Sequence, residues 1–227
     1  MQTIFTLNQR FTLYGHDHLF ALLFIVLVWV HRKRWIHQKG THLFLTTLFL
    51  LQQFLLYYWY YKTDSWHLQE ALPLYPCRLF QIMNIILLFY DSEKIYQIVT
   101  LLGIPSAVVA LLYADTGGNG FPSALYLQYF IGHSLMIFVP LYLKNKRHYT
   151  LDQKVFKTLF VFLLSYFVLV YNINQVLGSN YGYLMESPAG ILSSKVPSAF
   201  YMFLYFTFYY LSTMVSYQCF KRINWEV

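Results

Sequence analysis

Residues 43–61 read LFLTTLFLLQQFLLYYWYY, a stretch without a single charged side chain. A helix needs about 20 apolar residues to cross a bilayer, so this stretch is long enough for one span. Six further apolar stretches lie at 19–30, 74–90, 95–113, 123–143, 156–177 and 199–220. Backbone groups in hydrocarbon must form their hydrogen bonds internally, which makes each stretch a predicted helix. The sequence therefore predicts an all-α, polytopic membrane helix bundle with seven transmembrane helices.

The composition leaves little chain for a soluble domain. Of the 227 residues, 58% are hydrophobic and 11% are charged, whereas a soluble domain carries about 25% charged residues. We therefore expect a single integral membrane domain over residues 1–227, multi-pass in the cell membrane. No basic region precedes the first stretch and no small-residue cleavage site follows it, so we expect a retained span rather than a signal peptide.

The basic residues predict the orientation of the bundle. Twelve of the 16 lysines and arginines lie in or beside the connections that follow the first, third, fifth and seventh stretches. Basic residues stay on the cytoplasmic side, which predicts the N-terminus outside and the C-terminus inside. Membrane topology thus accounts for the net charge of +7, and no nucleic-acid partner is expected. Pro105 and Pro140 are expected to bend their helices or to mark helix ends.

One of the two cysteines opens the third stretch, in the segment 72–78, LPLYPCR. Proline favours the first turn of a helix, so a regular helix is predicted to begin near Pro76, with Cys77 in its first turn. The helix dipole and the unpaired N–H groups there favour a thiolate. The same N–H groups can stabilise an oxyanion when a thiolate attacks an ester. Alternatively, Cys77 is a small buried apolar residue.

Other polar residues lie near this cysteine in the predicted spans. Gln81 is one turn below Cys77 and belongs to a polar stripe on the same helix face. Arg78 and His133 are ionisable residues that are costly in lipid and therefore mark candidate functional positions. Alternatively, Arg78 snorkels to the outer headgroups and His133 packs between helices while bonded to a hydroxyl. The pair His16 and His18 is too weak a signal for a metal site, so none is expected.

Three segments resemble the YwaF family of bacterial integral membrane proteins, which is related to vertebrate transmembrane protein 164. They are 72–77 (LPLYPC), 126–133 (YLQYFIGH) and 178–184 (GSNYGYL), and the seven-span layout matches as well. The chain departs from the family at Tyr75, where many relatives have histidine. The vertebrate relative is an acyltransferase of ether phospholipids that works without coenzyme A and uses a cysteine and a histidine.

The resemblance implies that Cys77 is the acyl-accepting nucleophile and that His133 is its general base. Candidate substrate-binding or oxyanion residues are then Arg78, Gln81, Tyr129, Asn180 and Tyr181. The leading hypothesis is an acyltransferase that moves a fatty acyl chain between membrane phospholipids or glycolipids through a cysteine thioester, without a cofactor. No nucleotide-binding glycine loop occurs in the sequence. The alternatives are a non-catalytic transporter subunit, a lipid-binding membrane protein or a scaffold.

Overall fold

The computed structural model describes residue 5, residues 10–187 and residues 197–222. Within these ranges the protein is helical, and one isolated bridge between Arg10 and Asn119 is the sole strand-like pairing. Each predicted stretch corresponds to one helix of at least 14 residues in the described part of the chain. The helices are α1 (His16–Val30), α2 (Thr41–Lys62), α3 (Pro76–Phe89), α4 (Glu93–Leu112), α5 (Ala124–Arg147), α6 (Val155–Leu177) and α7 (Ser198–Arg222). A helical turn, Arg32–Trp35, and a 3₁₀ turn, Tyr181–Tyr183, lie in connections.

Several of these helices suit a membrane. Among the described residues, α2, α4, α5 and α6 are long and apolar enough to cross a bilayer. Helices α1 and α3 are apolar but have only 15 and 14 residues, and a helix of that length spans about 22 Å, less than the roughly 30 Å of hydrocarbon. Helix α7 has 25 residues, but its many tyrosines and hydroxyl groups make it less apolar. The protein is thus a membrane protein with several apolar helices, and seven crossings remain a prediction.

Consecutive helices run in alternate directions, so the bundle has two distinct ends. At the end where α3 begins, the Tyr181 hydroxyl after α6 donates to the Leu68 carbonyl before α3, at 2.7 Å. We call this end the cysteine end. At the opposite end, the Arg147 guanidinium on α5 donates to the carbonyls of Leu87 and Leu88, at 2.8 and 3.1 Å. We call this second end the basic end. Helices α3 and α5 therefore both start at the cysteine end.

The prolines mark local features of three helices. Helix α3 begins at Pro76, as predicted, after the extended residue Tyr75. In α4 a π-helical segment, Val99–Gly103, directly precedes the turn that holds Pro105, which confirms an irregularity there. A π segment is a common cause of a local change in helix direction. Pro140 does not end its helix, since α5 continues to Arg147.

The core lies where α2 to α6 meet around α5. Each of these five helices contributes side chains that are fully buried, namely Phe49, Leu87, Leu101, Met136 and Leu159. Helix α1 is peripheral, because among its residues His18 alone is buried, while most of its leucines and both of its phenylalanines are exposed. Exposed apolar surface on this scale is unusual for a protein in water and typical of contact with lipid.

Candidate active site

Cys77 lies in the first turn of α3 at the cysteine end. Its side chain is half-buried and packs against the main core. Four tyrosines from four different elements lie within electrostatic range of the thiol. They are Tyr129 of α5, Tyr166 of α6, Tyr183 of the 3₁₀ turn and Tyr209 of α7. Cys77 is therefore at a junction of helices rather than on the lipid-facing side of a single helix.

A narrow apolar crevice lies between α3, α6 and α7, and Pro76, the residue before Cys77, is part of its lining. None of the described residues that line it is charged, and they include Pro76, Leu79, Phe162, Tyr166, Tyr205 and Tyr209. Gly182 also lines the crevice, with φ +67, and a Cβ there would lie 2.6 Å from the Tyr166 hydroxyl oxygen. A glycine at this position therefore permits both the left-handed backbone and the close approach of the tyrosine.

His133 is almost fully buried on α5 and has a defined proton arrangement. Its Nδ1 atom lies 2.7 Å from the Tyr129 carbonyl oxygen. A carbonyl only accepts hydrogen bonds, so Nδ1 carries the proton and Nε2 keeps its lone pair in the neutral ring. The hydrogen bond at Nδ1 leaves Nε2 available. The histidine is thus bonded to a carbonyl rather than to a hydroxyl, and it presents one free basic nitrogen.

Helices α3 and α5 pack together. The side chain of Gln81, one turn below Cys77, reaches α5 at Gly132, the residue before His133. Because the two helices run in the same direction, Gly132 and Gln81 are level with each other. Cys77 then lies about five residues, roughly 7–8 Å, above the level of His133. The face of α3 that carries Cys77 and Gln81 is therefore packed against α5 near His133. Direct contact between the thiol and the imidazole remains a prediction.

Tyr129 is tied to the end of α4. Its hydroxyl donates to the Ala110 carbonyl at 2.8 Å and accepts from the Asp115 N–H at 3.3 Å. Its ring packs against the His133 ring, with centroids 4.3 Å apart. Tyr129 therefore positions the imidazole through its carbonyl and its ring, while its hydroxyl proton is already engaged.

Arg78 binds the connection that precedes its own helix. Its guanidinium donates to the carbonyl of Glu70 at 2.5 Å and to the hydroxyl of Tyr60 at 2.7 Å. It also lies 5.3 Å from the centre of the Tyr75 ring, in a cation–π contact. The Arg78 guanidinium therefore anchors the segment before α3. This contact differs from both sequence-based interpretations of Arg78, as an oxyanion residue and as a side chain that reaches the lipid headgroups.

Gln81 belongs to a buried group of glutamines inside the bundle. Its Oε1 atom accepts from the Nε2 atoms of Gln53 and Gln52 on α2, at 2.8 and 3.5 Å. Within the described residues, the buried Oε1 atom of Gln52 has no partner. The polar stripe predicted below Cys77 thus joins α3 to α2 as well as to α5.

The predicted residues Asn180 and Tyr181 organise the connections at the cysteine end. The Asn180 amide oxygen accepts from the Glu186 N–H at 3.1 Å, and its amide nitrogen donates to the Glu186 carbonyl at 2.8 Å. Tyr181 is fully buried, and its hydroxyl donates to the Leu68 carbonyl and accepts from the Leu72 N–H at 3.0 Å. Tyr181 therefore fixes the segment from which α3 starts.

Asn174, near the end of α6, is 1% exposed and central to this arrangement. Its Oδ1 atom accepts from the Tyr181 N–H and the Ser179 hydroxyl, both at 2.8 Å. Its Nδ2 atom donates to the Tyr181 carbonyl at 2.9 Å. An asparagine in the last turn of an apolar helix, just before Gly178, is the sequence signal that could have identified it.

Metal-ligating groups are not clustered in the part of the chain that the structure describes. No set of three or more histidines, cysteines or acidic residues lies close enough there to hold an ion. Both ring nitrogens of His18 are engaged, with the Tyr14 N–H at 3.0 Å and the Leu111 carbonyl at 2.7 Å. Cys219 is a free, exposed cysteine on the last turns of α7, near the basic end.

A family model described as the TMEM164 family matches residues 5–218. No curated protein and no solved structure matches the chain. The family match includes Cys77, His133 and the segment 178–184. It extends over α1 to α6 and nearly all of α7, so it covers the whole bundle rather than one motif. The chain therefore belongs to the TMEM164 family.

Proposed function

We propose that the protein is a membrane-embedded acyltransferase that moves a fatty acyl chain between membrane lipids through a thioester on Cys77, without coenzyme A. The observation that carries this proposal is the position of Cys77 at the first turn of α3. There it lies beside an uncharged crevice and on the face packed against the helix of His133. The resemblance to a cysteine- and histidine-dependent phospholipid acyltransferase agrees with this pair of residues.

In the first half of the reaction, the free Nε2 of His133 takes the thiol proton while sulfur attacks the ester carbonyl of the donor lipid. The carbonyl π electrons move onto oxygen and give a tetrahedral oxyanion. The ester C–O bond then breaks, and His133 returns the proton to the departing lysolipid oxygen. The products are the Cys77 thioester and a lysolipid.

In the second half, His133 takes a proton from the hydroxyl or amine of the acceptor lipid, which attacks the thioester carbonyl. The C–S bond breaks, and the thiol recovers its proton from the imidazolium. The acyl group is thereby transferred without oxidation or reduction, and no external group is consumed. Phospholipids and glycolipids both offer an ester donor or a hydroxyl acceptor for this sequence.

The start of α3 offers donors for the oxyanion. Its first described hydrogen bond of helical type runs from the Leu79 N–H to the Tyr75 carbonyl, at 3.0 Å. The N–H groups of Cys77 and Arg78 precede this bond, so they have no carbonyl one turn earlier in the helix. Unpaired N–H groups beside the thiol are the arrangement that stabilises a tetrahedral oxyanion in acyl transfer.

The crevice between α3, α6 and α7 is the proposed site for the acyl chain. Its aromatic and aliphatic lining offers no counter-charge, which suits a hydrocarbon chain better than a polar solute. A transporter for polar solutes would need a polar path, whereas the described lining of this crevice is largely apolar. The same crevice would also serve a lipid-binding protein without chemistry, and the behaviour of Cys77 separates these two functions.

The membrane arrangement belongs to the same proposal. Seven helices cross the cell membrane, with the cysteine end outside and the basic end in the cytoplasm. The support for this orientation is the positive-inside rule, since Lys146, Arg147, Lys221 and Arg222 all lie at the basic end. Donor and acceptor lipids then reach Cys77 by lateral diffusion in the outer leaflet.

The test is to trap the intermediate on the purified protein in liposomes that contain a labelled diacyl phospholipid and a lysophospholipid. A hydroxylamine-sensitive acyl mass is expected on the peptide that contains Cys77. Cys77→Ala should abolish transfer, and Cys77→Ser should lower it by orders of magnitude because a hydroxyl is much less acidic. Cys219→Ala is the matched control and should retain the wild-type rate. Full activity of Cys77→Ala in well-folded protein would eliminate the thioester mechanism and favour a lipid-binding function.

A further inference from the structure

A second cavity lies at the basic end, on the opposite side of the bundle from Cys77. Its volume is about 250 Å³, and it is formed by residues 36–39, between α1 and α2, together with Tyr142, Asn145 and Lys146 of α5. No residue of the proposed acyl-transfer site contributes to it. Its function is therefore independent of the chemistry proposed for the cysteine.

The wall formed by the connection after α1 is held in place by specific contacts. The Trp35 indole N–H donates to the Val28 carbonyl at 3.1 Å, and its ring packs edge-on against Phe138 of α5, with centroids 5.8 Å apart. The Thr41 hydroxyl donates to the Trp35 carbonyl. Ile36 is buried, with 4% of its surface exposed. These contacts hold the wall of the cavity against α5, although several of its polar side chains remain exposed.

Positive charge surrounds this cavity. The Lys146 ammonium donates to the Tyr142 hydroxyl at 3.1 Å, which holds the charge at one side, and Lys39 lies on the opposite wall. None of the described lining residues is acidic. The nearby Asp91 carboxylate faces Arg147 instead, at 3.9 Å. The cavity therefore has a positive potential that attracts anions.

Two further features favour an anionic ligand at this place. Helix α2 begins at Thr41, so the positive end of its dipole is beside the cavity. His42, behind the cavity lining, is partly buried; its Nδ1 atom has no partner among the described residues, and its ring lies 6.1 Å from the ring of the lining residue Tyr142. Polar atoms that are buried without partners are uncommon in folded proteins and indicate a missing ligand or water.

We propose that this cavity binds a phosphate group, and that the headgroup of an anionic phospholipid supplies it. Basic pockets between membrane helices on the cytoplasmic side bind such headgroups. The buried Ile36 and Tyr142 form an apolar floor, and the cavity adjoins a helix with an apolar outer surface. A lipid can therefore place its phosphate between Lys39 and Lys146 while its chains remain against the bundle.

The test measures lipid binding by the full-length protein in neutral detergent, by native mass spectrometry during titration with phosphatidylglycerol or phosphatidylcholine. We expect phosphatidylglycerol to be retained preferentially. The double variant Lys39→Gln/Lys146→Gln should bind it about 30-fold more weakly, the effect expected for two lysines near an anionic surface. Both lysines are exposed, so the variant should retain the wild-type elution volume and circular dichroism spectrum.

The matched control is Lys33→Gln/Arg34→Gln, which removes the same number of charges at the basic end but lies outside the cavity. Equal loss of binding in both double variants, or no loss in the cavity variant, would overturn the proposal. Competition with millimolar inorganic phosphate identifies the source of the anion. Displacement of the lipid shows that its headgroup phosphate occupies the cavity and supports the proposal. Inorganic phosphate that binds the cavity while phosphatidylglycerol does not would assign the site to free phosphate and overturn the headgroup assignment. Acyl transfer is measured separately, since a failure at Cys77 leaves this result unaffected.

Discussion

The side-chain amide of Gln81 occupies the space beside Gly132, where any larger residue would place its Cβ. The Gln81 Nε2 atom lies 2.6 Å from that position, and the Gln52 Oε1 atom lies 3.0 Å from it. Three helices, α2, α3 and α5, thus approach one another at a single glycine. The glycine matters because it leaves room for two buried amides one turn below Cys77.

Gly132→Ala should destabilise the protein by about 1–3 kcal/mol, the usual effect of overpacking a filled interior. The added methyl group must displace one of the amides and weaken its hydrogen bond. Thermal unfolding in detergent measures the change. The control is Gly40→Ala, where a Cβ would meet nothing within 4 Å. Equal melting temperatures for the two variants would show that the amides yield without cost.

His133→Ala should slow formation of the Cys77 thioester by roughly 10²–10⁴-fold, the usual contribution of a general base. The reason is that Nε2 is the free basic nitrogen on the face of α5 next to the cysteine. A single-turnover assay with labelled phospholipid, followed by mass spectrometry of the Cys77 peptide, measures the step directly. His31→Ala is the control, because His31 is exposed and hydrogen-bonds the Leu27 carbonyl away from the site. Acylation of His133→Ala at the wild-type rate would assign the base to another residue.

Tyr181→Phe should loosen the segment before α3. The change removes one hydroxyl and leaves the Leu68 carbonyl and the Leu72 N–H without a partner, at about 1–3 kcal/mol for each group that stays buried. Hydrogen exchange of the Leu72 amide should accelerate, and acyl transfer should fall because the start of α3 is less well fixed. Tyr113→Phe is the control, since Tyr113 is 67% exposed. Unchanged exchange at Leu72 would mean that this hydrogen bond does not hold the segment.

The topology predicts opposite reporter activities at the two ends of the bundle. A reporter fused after residue 227, or inserted in the connection at 148–154, should be active only in the cytoplasm. A reporter inserted at 63–70 should be active only outside, because this connection lies at the cysteine end. Cytoplasmic activity at 63–70 would reverse the orientation and assign the proposed reaction to the inner leaflet.

The preference of proline for the first turn of a helix correctly predicted that α3 begins at Pro76. This preference depends only on the backbone of the proline itself, so folding contacts are not needed to predict it. The number and order of the long helices also followed from apolar stretches alone. The partners of Arg78 and Tyr181 could not be predicted, since their contacts join residues that are close only after folding. Sequence spacing placed Cys77 and Gln81 on one face but gave no rotation of α3 relative to α5. That rotation decides which residues of α5 the polar stripe meets, and the structure brings the Gln81 amide to Gly132.

Helix α3 is held by an arginine at each of its two ends, which limits how the crevice can open. At one end Arg78 holds the preceding connection, and at the other Arg147 holds the carbonyls of Leu87, Leu88 and Tyr90. The crevice next to Pro76 has only about 10 Å³ of open space, on the order of one water molecule. A fatty acyl chain is far larger, so one wall must move for it to enter. Because α3 is clamped at both ends, we expect the moving wall to be α7, which reaches the crevice through Tyr205 and Tyr209 and would act as a side gate to the lipid.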